Sequence, residues 1–166
     1  GPVRQALLAW AECNGITATR QAFEGDWQTW LEAYNVLQGL EIQRQHGVWI
    51  RQRRPDFGPA IAPRFKQAMA LDPALANRWQ VWRERVATHL IARLGPDEAW
   101  MVPAAPSVAL LRRPRHDGER ADFYSRALAL GALAGHAGLP QITVPLAEVD
   151  GLPVGVSFIA APGQDE

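Results

Sequence analysis

Cysteine is nearly absent: Cys13 stands alone in 166 residues, so no internal disulfide can form and a reducing compartment is the simpler expectation. Lysine is nearly absent too, since Lys66 is the single one and the remainder of the seventeen basic residues are arginines. Seventeen acidic residues balance them to a formal net charge of zero. That argues against a chain that coats nucleic acid or an anionic membrane, because both demand a net basic face. No apolar run approaches the length of a membrane span. The opening GPVRQALLAW lacks the charged start, apolar centre and cleavage site of a signal peptide, which leaves the cytoplasm as the default expectation. What is present is 48% hydrophobic and 20% charged residues, the balance of a soluble globular domain long enough to bury a core.

Visible chemistry is scarce. No closely spaced glycines precede a helix, so a phosphate-cradling loop is excluded. His46, His89, His116 and His136 are scattered, and no two share a helical turn, which argues against a metal site. The serines are Ser107, Ser125 and Ser157. Ser125 reads as a helix-face residue and Ser157 as a strand hydroxyl bonded locally. Ser107 is the most exposed of them, with no activating base nearby in sequence. Cys13 sits late in an amphipathic helix and reads as half-buried packing. His89 reads as a helix-face residue, His116 as solvated, and His136 as the end of its helix. Arginines 51, 53 and 54 with 112, 113 and 115 read as solvated faces rather than an anion site.

Periodicity predicts helices over 3–13, from Asp26 to about Ile42, over 60–70, from Asp72-Pro73 to Leu94, and over 121–137. Trp27, Trp30, Trp79 and Trp82 fall on the apolar stripes and read as core. Strands are expected over 16–19, 99–102, 141–145 and 154–160, the last two joined at Asp150-Gly151. The order suggests an α/β layered fold. Gly163-Gln164-Asp165-Glu166 follows the last strand like the acidic first turn of a further helix, so the chain is expected to be part of a longer one.

The run HAGLPQITVPLAEVDGLPVGVSFIAAPGQDE resembles the end of amidase-signature enzymes. It has paired Gly-Leu-Pro units, Gly138-Leu139-Pro140 and Gly151-Leu152-Pro153, around an alternating strand and a turn. AWMVPAAPSV looks like that family's buried strand ending in a Pro-rich active-site loop. AYNVLQGLEIQRQHGVWI with PDFGPAIAPRF is similar to a subgroup that includes indole-3-acetamide hydrolases.

The resemblance implies an α/β fold with helices packed on a mixed sheet that is incomplete in this chain, residues 1–166 being the carboxy-terminal part of one domain. It implies an amidase acting on a small aromatic or apolar carboxamide with no metal or organic cofactor. The family uses a Ser–cis-Ser–Lys triad, in which a neutral Lys in an enclosed site serves as base through the bridging Ser. The chain has no Ser-Ser pair, and Lys66 lies outside the family's lysine position, so no catalytic residue carries over and the missing amino-terminal segment becomes the implied partner. The substrate side does carry over: Pro103, Ala104, Ala105, Pro106, Leu128, Gly131 and Trp49. Amidotransferase A subunits, which serve misacylated tRNA, tend to have an acidic residue where Leu128 falls, so Leu128 favours an apolar acyl group. The rival expectations are a non-catalytic binding or assembly module on the same scaffold and, third, part of a tRNA-dependent amidotransferase A subunit, which would require partner subunits. The strands carrying Val144, Val154, Val156, Phe158 and Ile159 are expected to need cover on both faces, which predicts self-association of the isolated chain.

Overall fold

The computed structural model describes residues 1–16, 26–112 and 118–165. Val3, Leu7 and Ala11 recur every four residues and are buried, which gives helix α1 (Pro2–Cys13) one apolar stripe. Cys13 lies off that stripe and is exposed, not half-buried as its sequence position suggests. The strand expected over 16–19 falls largely outside the described residues.

Helix α2 (Trp27–Arg53) starts where Asp26 accepts the backbone N–H of Thr29 at 2.7 Å, the expected N-cap. It ends where Arg54 turns left-handed at φ 44°, just before Pro55. Helix α3 (Ala62–Ala70) folds back on it. Gly39 permits the close approach, since a Cβ there would lie 2.5 Å from Leu71 Cδ1 and 3.4 Å from Ala68 Cα. Gln43 secures the end of α3 by donating to the carbonyls of Ala68 (2.7 Å), which also accepts the Leu71 N–H, and Leu71 (2.8 Å).

Helix α4 (Leu75–Arg93) begins later than Asp72-Pro73 implies. The Asp72 side chain accepts from Ala74 N at 2.9 Å and its carbonyl from Leu75 N at 3.1 Å, so these residues form a tight turn that precedes the helix. Helix α5 (Glu119–Ala137) closes at Gly138 with φ 63°, where the Leu139 N–H returns to the Ala134 carbonyl at 3.1 Å.

Strands β1 (Ala99–Pro103), β2 (Gln141–Val149) and β3 (Leu152–Ala160) form one sheet in the order β1-β3-β2. Asp150 and Gly151, with φ 51° and 77°, make the two-residue turn between β2 and β3. A bulge at Pro145/Ala147 absorbs the proline within β2. Helices do pack on a sheet as expected, and the strand pairings among the described residues are antiparallel. β2 and β3 are a hairpin, and β1 runs against β3 on its other side.

Cover comes from both faces. Val3 and Leu7 of α1 pack with Val154, Val156, Met101 and Phe158 on one side. On the other, Ile159 joins Trp30, Leu90, Leu94, Leu133, Ala134 and Leu139, with Trp100 and Val102 packed alongside. Val154, Val156 and Ile159 are buried, while Val144 and Phe158 are half-buried. Trp30 and Trp79 are core as predicted, and Trp82 bridges them edge-on at 5.5 and 5.9 Å. His136 does more than end its helix: it is buried among Trp30, Tyr34 and Trp82.

Candidate functional site

β1 holds the start of the proline-rich loop in place. Ala104 N donates to Gly155 O at 3.0 Å, one residue past the strand. Gly155 is squeezed between that loop and β2, because a Cβ there would meet Ala104 Cβ at 2.9 Å and Thr143 Cγ2 at 3.1 Å. Pro103, Ala104, Ala105 and Pro106 are all half-buried, a wall rather than a free loop. Beside them Ser157 is fully buried, with its Oγ accepting from Gln141 Nε2 at 2.9 Å and lying 2.7 Å from Thr143 Oγ1. These partners satisfy the hydroxyl and neither is a base. Ser107 is exposed and donates to the adjacent Val108 carbonyl at 3.0 Å. Ser125 is half-buried on α5. Gln141 and Thr143 carry no site signal in the sequence, whereas Gly155 closes the second Gly-Leu-Pro-Val-Gly unit, and a glycine inside an alternating strand signals a close backbone approach.

Leu128 and Gly131 lie one turn apart on α5, at the border of its buried face, with Ala132 one turn beyond Leu128 and Ala134 one turn beyond Gly131. Leu128 is half-buried and Gly131 exposed, and nothing lies within 4 Å of where a Gly131 Cβ would be. Trp49 lines a depression of about 470 Å³ with His46, Phe57 and Phe65, and none of the other expected pocket residues lines it. Lys66 is exposed on α3, at the edge of a neighbouring depression of about 460 Å³.

Among the described residues the histidines, His46, His89 and His136, do not converge. Among the described residues no group of three His, Cys, Asp or Glu could hold a metal ion. His89 is half-buried, its Nε2 3.4 Å from Arg93 Nη1, and His116 lies outside the described residues. His136 Nε2–H donates to the Trp30 carbonyl at 3.0 Å. Burial holds the His136 pKa below its ordinary value; the bond to Trp30 works against that, and Arg83 adds to the lowering. No helix among the described residues is long and apolar enough to cross a membrane.

No protein-family model matches the chain. It is 30% identical over 138 residues to Amidase 1 of Arabidopsis thaliana, an alignment that takes in 78% of this chain and 30% of that protein. Its fold superposes on a crystal structure of an amidase with a TM-score of 0.75 at 22% identity, covering 98% of this chain and 38% of the other. The chain belongs to the amidase signature family. A second relative is the translocon at the outer membrane of chloroplasts 64 of Pisum sativum, 34% identical over 139 residues, 79% of this chain and 22% of that protein. The chain thus spans less than a third of the length of these curated relatives.

Proposed function

We propose that this chain is the carboxy-terminal, substrate-binding part of an amidase that converts a small aromatic or apolar carboxamide to its carboxylate and ammonia. One observation carries the reading: a chain that aligns with Amidase 1 over 78% of its length has no Ser-Ser pair and only the surface lysine Lys66. In this reading the nucleophilic serine, bridging serine and base lysine stand on a segment of the same protein outside residues 1–166, and no metal or organic cofactor takes part. Pro103, Ala104, Ala105 and Pro106, with Leu128 and Gly131, line the acyl pocket, and the absence of charge at Leu128 favours an apolar acyl group over the substrate of an amidotransferase. Trp49, a pocket residue on sequence grounds, serves a separate groove. The lone exposed Cys13 is compatible with the reducing cytoplasm.

A second reading has one observation in its favour, the 34% identity to a protein named as a translocon component. In it the scaffold is a non-catalytic assembly module. The coding region around the segment separates the two. A lysine and a Gly/Ser-rich Ser-Ser segment encoded in the same frame support the amidase. An open frame that lacks both supports the module.

A further inference from the structure

The α2–α3 tip carries charge that the chain as a whole does not. Residues 44–70 hold six of the seventeen basic residues and a single acidic one, Asp56, in a chain of zero net charge. Arg44 is tied to Glu41 at 3.1 Å. Arg54 and Lys66 instead stand at the edge of an apolar depression.

The floor of that depression is aromatic. Phe57, from the loop after α2, stacks on Phe65 of α3 with ring centroids 4.2 Å apart and planes 8° from parallel. Trp49 packs edge-on against Phe57 at 6.3 Å. One depression opens beside Trp49 and the other beside Ile50 and Met69; both are lined by Phe57 and Phe65, so they flank the stack as one groove. Trp49 is 48% exposed, a large apolar surface left in water.

Both depressions are open to solvent. A small-molecule site encloses most of its ligand, and these do not. Nucleic acid binding calls for open ring faces on which bases stack, yet Phe57 and Phe65 stack on each other and Trp49 abuts Phe57. An apolar floor with a cationic rim is complementary to an acidic amphipathic helix, whose apolar side chains seat at helical spacing while its carboxylates meet the rim.

We propose that this groove docks an acidic amphipathic helical segment of another protein, with apolar side chains on either side of the Phe57–Phe65 stack and carboxylates against Arg54 and Lys66. Amide hydrolysis plays no part in this, so the proposal stands or falls apart from the amidase reading.

The test is a titration of the chain with a fluorescent synthetic helix, glutamate-rich with leucines at i and i+4, alongside a lysine-rich version of the same pattern and an oligo-dT strand. The glutamate peptide is expected to bind. Reversing two exposed charges, Arg54→Glu with Lys66→Glu, is expected to weaken it about tenfold or more, and Trp49→Ala to do likewise. Absence of binding, equal binding of the lysine peptide, or indifference to both sets of substitutions would overturn the proposal. So would displacement of the glutamate peptide by oligo-dT, or a dimer of this chain that forms through Trp49 and excludes the peptide.

Discussion

The imidazole Nε2–H of His136 donates to the backbone carbonyl of Trp30 across 3.0 Å, tying the end of α5 to the start of α2. The ring sits edge-on to Trp30, Tyr34 and Trp82, so the tie is packed as well as hydrogen-bonded.

That tie predicts a pH dependence. Burial lowers the pKa of His136 in the folded chain, so the folded state resists a proton that the unfolded state accepts. Below about pH 6.5, the ordinary histidine value, the unfolded state therefore binds more protons and stability falls as pH falls. Urea melts between neutral and mildly acidic pH should show this slope, and His136→Gln should flatten it. His136→Ala is expected to cost about 3 kcal/mol at neutral pH through lost packing and the lost bond.

Two glycines respond in opposite directions. Gly155→Ala drives a methyl group into Ala104 and Thr143 and is expected to destabilise by about 1–3 kcal/mol. Gly131→Ala meets open space on a helix and is expected to stabilise by about 0.5–1 kcal/mol. Chemical denaturation of the two variants checks both signs.

Gln43 is the side chain that holds α3 against α2. Gln43→Ala removes its bonds to the Ala68 and Leu71 carbonyls and is expected to cost about 1–2 kcal/mol. Hydrogen exchange should show the loss concentrated in α3.

Ile142 is 63% exposed on β2, which is an edge of the sheet. An apolar residue on an open edge invites pairing with another chain, so the isolated chain is expected to self-associate, and Ile142→Lys to reduce this. Sedimentation velocity checks it, and an unmodified chain that stays monomeric at high concentration would contradict the expectation.

Local signals were the legible ones. The first helix, the Asp26 cap, the stop at Gly138 and the Asp150-Gly151 turn each depend on a few neighbouring residues, and each forms as their chemistry predicts, although the buried stripe of α1 runs Val3-Leu7-Ala11 rather than through Leu8 and Trp10. At Asp72 the same local chemistry had two outcomes, and the side chain closed a turn in place of the first helical turn. The pairing of β1 with β3 was not legible, because Pro103 and Val156 meet across an intervening helix and strand. The candidate site divides the same way. Pro103–Pro106 could be placed from the strand-Pro pattern, but the pressure of Ala104 on Gly155 arises only from that long-range pairing. Trp49 faces Phe57 because the turn after Arg54 reverses the chain, which periodicity along α2 does not encode.

Under the proposed function, residues 1–166 supply the substrate side of an amidase and none of its cutting machinery. Ammonia release from indole-3-acetamide and benzamide by the purified chain tests it most directly. No turnover above the uncatalysed background is predicted. Robust turnover that survives replacement of Ser107, Ser125 and Ser157 together would contradict it.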